Sequence, residues 1–205
     1  MLGSKIRPTI QSRTATTPKP RLLRNPVKYI DSDNPLANRD FASAFYQVLA
    51  EHYDAKRQLV VLCIGTDRVT GDSLGPIIGY KLAQYIPDHV QVYGTLEEPV
   101  HAKNLESTLG RIKRRYANPF IIAIDASLGR MESIGCLTVG AGSIKPGQGV
   151  DKILPEVGDM FITGIVNYNG MFGNVAIQNT RLNVVMKMAD IAHYGILSGF
   201  SRLAA

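Results

Sequence analysis

Two aspartates stand where an acid has no evident structural duty. The first, Asp72, lies in CIGTDRVTGDSLGP (63–76), a loop that leaves a short apolar strand and opens into Asp-Ser-Leu at a helix start. The second, Asp125, directly follows the apolar run FIIAI (120–124), where an ionised side chain is costly unless it is paired or put to use. Two carboxylates a few ångströms apart cannot both ionise freely, so such a pair tends to hold one proton between them. One member can then accept a proton from water while the other donates to a carbonyl oxygen or leaving amine, which is the working logic of aspartic peptidases. A plainer alternative stays open for Asp72: aspartate is a favoured helix N-cap, and its carboxylate could merely satisfy free backbone amides ahead of SLGPIIGY.

Other chemistries are less well served. Asp67 in the same loop reads as a turn residue, and Glu97 with Glu98 as a solvated pair within reach of the same crevice. Ser73 and Ser127 have no histidine near them in sequence and no G-x-S-x-G elbow. Neither G-x-x-x-x-G-K-[ST] nor G-x-G-x-x-G follows the first core strand, which demotes nucleoside triphosphate and dinucleotide chemistry. Cys63 and Cys136 sit inside apolar, strand-like segments and read as buried core thiols. His52, His89, His101 and His193 are scattered without ligand spacing, so a zinc site is not expected.

The elements needed to position the two acids follow from periodicity. Phe41, Ala44, Phe45, Val48 and Leu49 predict a helix over about 38–52. The strand LVVLCIG (59–65) is apolar on both faces, as a central parallel strand is. A helix starting near Asp72 carries Leu74, Ile77, Ile78, Leu82 and Tyr85 and ends before Pro87. There follow a strand VQVYGT (90–95), a helix with Leu105, Leu109, Ile112 and Tyr116 on one stripe, and a strand PFIIAIDA (119–126). This βαβαβ order predicts a mostly parallel sheet covered on both faces, and ligands of such sheets bind outside the carboxyl ends of the strands, where both aspartates fall. Further on, IGCLTVGA (134–141) reads as an edge strand running antiparallel, DMFITGIV (159–166) as another strand, and about 174–194 as a last long helix in which Met186 and Met188 fill core.

Of the 205 residues, 45% are hydrophobic and 20% charged, which suits one domain with a core plus a tail. Residues 1–28 hold seven of the 23 basic side chains and no acid, leaving 16 bases against 17 acids elsewhere. Residues 1–37 are therefore expected to be a disordered basic leader with linker, rich in Thr, Ser and Pro, and 38–205 a single α/β domain. No apolar run approaches the ~20 residues of a membrane span and no secretory signal is visible, so a cytoplasmic protein without a membrane partner is expected. Nucleic acid is disfavoured as a partner because no aromatic side chains interleave the leader's charges.

With these residues in view, the chain resembles the sporulation protein YyaC family, relatives of the spore germination protease. That protease's first motif, roughly G-N-x-N-V-T-P-D-A-L-G-P, is matched by Gly65, Val69, Thr70, Asp72, Leu74, Gly75 and Pro76. Its second, roughly A-I-D-A-L-x-x-R-x-I-E, is matched by Ala123, Ile124, Asp125, Ala126 and Arg130, with Glu132 close to the acidic position. A third, P-G-x-G-V, recurs as Pro146, Gly147, Gly149 and Val150. Thr66 and Gly71 depart from it, standing where the motif has Asn and Pro. A more distant similarity is to the hydrogenase maturation proteases, which hold a metal through two acids and a histidine; Asp72 and Asp125 match the acids, and IVNYNGMFGN supplies no histidine.

The resemblance implies a three-layer αβα, phosphorylase/hydrolase-like fold and a spore-associated endopeptidase in the forespore or spore core. Asp72 and Asp125 would be catalytic, with Thr70, Arg130, Gly147 and Gly149 supporting them or binding substrate, and with no metal or cofactor. Arg130 would orient Asp125 or bind substrate, or else pair with Glu132 at the surface. Small acid-soluble spore proteins are the protein substrates implied, and self-association is left open. The competing expectations are a non-catalytic binding or regulatory protein of the same fold, and a metal-dependent hydrolase using the two aspartates with Asn167, Asn169 or a glutamate.

Overall fold

The structure, a computed structural model, describes residues 27–147, 154–170 and 173–204, with side chains undescribed at 173 and 174. Along the chain run β1 (Lys28–Asp31), α1 (Ala37–His52), β2 (Leu59–Cys63), α2 (Leu74–Ala83), β3 (Val90–Tyr93), α3 (Leu105–Arg115), β4 (Phe120–Gly129), β5 (Cys136–Ala141), β6 (Met160–Tyr168), α4 (Gly173–Gln178) and α5 (Leu182–Leu203). The six strands form one sheet in the order β1-β5-β6-β4-β2-β3. Strands β3, β2, β4 and β6 pair in parallel, β5 runs antiparallel to β6, and β1 antiparallel to β5. This is the mostly parallel αβα arrangement that the alternation of apolar runs and amphipathic stripes predicts.

Alternate residues of the central strands feed two cores. Val61 and Cys63 of β2, with Ile122 and Ile124 of β4 and Met160 and Ile162 of β6, pack against α1, α2 and α5. Val60, Leu62, Ile121 and Ala123 face the other way, onto Leu105, Leu109 and Ile112 of α3 and onto Leu154 and Val157. Among the described residues three helices thus pack on one face, and α3 covers part of the other. Met188 is fully buried in the first core and Met186 packs at its margin, as filler. Gly195 and Gly199 of α5 make room for the rings of Phe41 and Phe45; a Cβ at either would approach them to 2.3 and 2.4 Å.

Four expectations are corrected. Lys28–Asp31, placed in the leader, is a strand: Ile30 reaches the core while Tyr29 points outward, an alternation too short to read in isolation. Residues 1–26 lie outside the described residues. Because β1 pairs with it, β5 is antiparallel as expected but not at the sheet's edge. The last helix is two helices, α4 and α5, parted where Arg181 is extended (φ −72°, ψ 125°) ahead of Leu182, and α5 runs on to Leu203. Finally, β4 continues to Gly129, so Asp125 sits within the strand rather than at its end.

The amino ends of β2, β4 and β6 are tied by Arg57. Its guanidinium donates to the Asn118 and Pro119 carbonyls (3.0 and 2.6 Å) and to Asp159 Oδ1 (2.9 Å), and lies 5.0 Å from the centre of the Phe120 ring. Asp159 Oδ2 in turn accepts the Ile121 amide at 2.9 Å. Arg57→Ala is expected to cost about 1–3 kcal/mol, because it leaves partly buried acceptors without a donor. Thermal unfolding should register this as a melting temperature lower by roughly 3–10 °C.

Candidate active site

From β2 the chain passes through α2 to β3 on one side, and then through α3 to β4 on the other. The sheet order therefore reverses between β2 and β4, and ligands of open α/β sheets bind at such a switch point. Pairing of β2 with β4 ends at Cys63 and Ile124, after which Ile64 gives its amide to the Ile124 carbonyl (2.7 Å) and Gly65 turns its own to Val100 (2.7 Å). Asp125 is the next residue of β4. It has lost β2 as a neighbour but remains paired with Thr163 of β6.

Asp72 reaches the same crevice from the loop after β2. Gly65 has φ +140°, and a Cβ there would fall 2.0 Å from the Asp72 carbonyl oxygen, so the turn demands glycine. The loop closes through Thr66 N–H to the Asp72 carbonyl and Asp72 N–H to the Val69 carbonyl, both 3.0 Å. Asp72 then sits in a 3-10 turn, Thr70–Ser73, that leads into α2. Neither that turn nor α2 has a side-chain cap, so helix capping does not explain Asp72. Gly71 lies against α4, where a Cβ would meet the Ile177 carbonyl at 2.5 Å and Thr180 Oγ1 at 2.8 Å. Asn167 of β6 fastens α4 there, donating to the Ala176 carbonyl (2.7 Å) and Thr180 Oγ1 (3.3 Å).

The charge of Asp72 acts on Asp125. Burial lifts the Asp72 carboxyl to about 6, partly offset by the nearby Thr66 amide. Asp125 is only 6% exposed, and burial first, then the charge of Asp72, hold it well above the ordinary carboxylate range against the Gly147 and Ala126 amides. Two carboxylates in these surroundings favour a singly protonated pair, whose titration belongs to the pair as a whole.

The remaining candidates divide. Gly147 (φ +74°) brings its amide to Asp125; Gly149 lies outside the described residues. Thr70 belongs to the turn beneath Asp72, and its carbonyl takes the Ser73 hydroxyl (2.6 Å). Arg130 is exposed and is not among the groups that shift Asp125; nor do the described ion pairs join it to Glu132. Glu97 and Glu98 are exposed. Cys63 is buried, with its thiol pushed far up by that burial. Among the described residues no third His, Cys, Asp or Glu joins the aspartates in a metal-holding group. Asn167 has its Oδ1 on the Tyr168 amide (2.9 Å) and its Nδ2 on α4. Sequence reasoning missed Asn167 and Thr180 as the fastening of the Asp72 turn, and Thr163 as the neighbour of Asp125. Only the alternation in MFITGIV, which sets Thr163 on the face away from Ile162, hinted at the last.

A carboxyl whose folded pKa exceeds its unfolded value lets the folded state bind more protons, so stability falls as pH rises. The penalty is absent below about pH 4, near the unfolded value, and grows through about 6 for Asp72; Asp125, shifted in the same direction, adds to it. Asp125→Asn should therefore raise the melting temperature by several degrees at pH 8, with the gain shrinking towards pH 4. Calorimetric scans across that range check it.

Comparison with known proteins agrees with the resemblance carried by the motifs. The family model described as "Protein of unknown function (DUF1256)" matches residues 29–195. Over 142 residues the chain is 52% identical to "Uncharacterized protein YyaC" of Bacillus subtilis (strain 168), which covers 69% of this chain and 69% of that one. Among solved structures, the [NiFe] hydrogenase maturation protease HycI from Thermococcus kodakarensis KOD1 aligns with a TM-score of 0.49 and 15% identity, over 76% of this chain and 97% of that chain. The chain belongs to the DUF1256 family, whose model spans it from β1 into α5, and it is a relative of YyaC.

Proposed function

We propose that the protein is an endopeptidase in which Asp72 and Asp125 divide the base and acid roles. One observation supports this reading: the charge of Asp72, on the loop after β2, raises the pKa of Asp125 in β4, beside the switch point of the sheet. Asp125, the more deeply buried, keeps the shared proton. Asp72, with its carboxyl near 6, is ionised at neutral pH.

The chemistry follows from that division. Asp72 takes a proton from water as the water oxygen attacks the scissile carbonyl carbon, while Asp125 gives its proton to the carbonyl oxygen. The tetrahedral intermediate then collapses. Its C–N bond breaks, the leaving nitrogen takes the proton held by Asp72, and the returning carbonyl gives its proton back to Asp125. No metal or cofactor enters these steps. The resemblance to the spore germination protease makes small acid-soluble spore proteins the first substrates to test and the spore the compartment in which to look.

Purified protein incubated with these substrates should yield discrete fragments by mass spectrometry. Asp72→Asn and Asp125→Asn should each lower the rate at least about 100-fold, and EDTA should leave it unchanged. Activity should rise with pH through about 6, where Asp72 ionises, and fall again at higher pH as Asp125 loses its proton. Full activity in both asparagine variants would overturn the dyad. Specific binding of the substrates without hydrolysis would identify a binding protein instead.

A further inference from the structure

The face of the sheet that carries Asp125 is covered unevenly. Over β2 and the first half of β4 lie α3 and the chain around Leu154 and Val157. Past Asp125 the described residues leave a groove of about 590 Å³ on that face, floored by Thr138, Phe161, Thr163 and Ile165 and rimmed by Tyr29 and Arg130.

The strand registers align this groove with the acid. Tyr29 pairs with Thr138, Thr138 with Thr163, and Thr163 with Asp125. Four side chains therefore stand in one line across the sheet. At roughly 4.8 Å per strand the line is about 14 Å long, the length of about four residues of extended chain. Its character changes along its length, from an exposed tyrosine ring (65%) through two threonines to a buried carboxyl. The threonine hydroxyls are 2.7 Å apart. One proton lies between them, and the second hydroxyl proton remains to donate to a carbonyl in the groove.

Phe161 and Ile165 flank Thr163 on the same face of β6. The Phe161 ring lies over Gly140, where a Cβ would meet it at 2.6 Å. Arg130 adds an exposed cation, and no carboxylate pairs with it among the described ion pairs.

We propose that this groove holds an extended polypeptide segment, with apolar side chains on Phe161 and Ile165 and an acidic side chain at Arg130, and leads its next peptide bond to Asp125. The inference rests on the peptidase reading and names the kind of chain which that site takes. Three features choose this occupant: continuity with the acid through Thr163, a length that suits a few extended residues, and a rim cation that complements an acid.

The test uses full-length Asp125→Asn protein and a positional-scanning library of N-acetylated, C-amidated octapeptides, with binding read by fluorescence anisotropy. Peptides that combine an acidic residue with neighbouring Leu, Ile or Phe should bind best. Adding Arg130→Glu should weaken them about tenfold and turn the preference at that position from acidic to basic. A merely structural role for Arg130 would not produce that inversion. Phe161→Ala should weaken binding without changing the charge preference.

Binding that ignores both substitutions, or no binding to any peptide, overturns the groove. So does a concentration-dependent dimer in sedimentation that Phe161→Asp dissolves, because the occupant is then a second copy of the chain. The two readings fail separately. Wild-type protein that binds these peptides through the groove without cleaving them keeps the groove and removes the peptidase, whereas cleavage unaffected by Arg130→Glu and Phe161→Ala does the reverse.

Discussion

A buried acid that feels the charge of a second acid is costly to keep, and holding Asp125 and Asp72 in their places is the demand to which the surrounding structure answers. Asp125 has no freedom to escape, since it is laddered to β6 inside a strand whose preceding residues are all core. Asp72 could swing away on a looser loop. That is prevented from three sides: Gly65 admits the Asp72 carbonyl, the Thr66 and Asp72 amides close the turn, and α4 presses on Gly71. The polar link from Asn167 to Ala176 and Thr180 holds α4 in that position.

The uneven distribution of helices serves the same end. With α1, α2 and α5 against one face, the hydrophobic core is large enough to fix the central strands without help from the other side. The second face can then stay partly open, and the row from Tyr29 to Asp125 lies on it. Filling that face with another helix would add buried apolar area but close the approach to the acid along the sheet.

Much of this was legible in the chain itself, for reasons that differ from element to element. Residues 59–126 declare their strands and helices because β2 and β4 are buried on both faces and read as continuous apolar runs, whereas α1, α2 and α3 show one apolar stripe each. Asp125 is conspicuous for being charged beside FIIAI. The strand Lys28–Asp31 was hidden, since only Ile30 among its four residues is buried and its pairing partner lies more than a hundred residues away. The separation of α4 from α5 was equally hidden: Asn179 and Thr180 are ordinary helix-surface residues until Asn167, distant in sequence, engages Thr180. The place of Arg130 could not be read either, because whether a cation meets a neighbouring acid or a groove depends on what covers the sheet.

The tie made by Arg57 sets the two ends of the sheet apart in how they are held. At the amino ends of the strands a single guanidinium joins its own stretch of chain to two others, while at the carboxyl ends the loops around the acids are held by separate contacts. Loss of that one guanidinium would therefore loosen the starts of β2, β4 and β6 together, while the turn at Asp72, closed by its own backbone bonds, would keep its contacts.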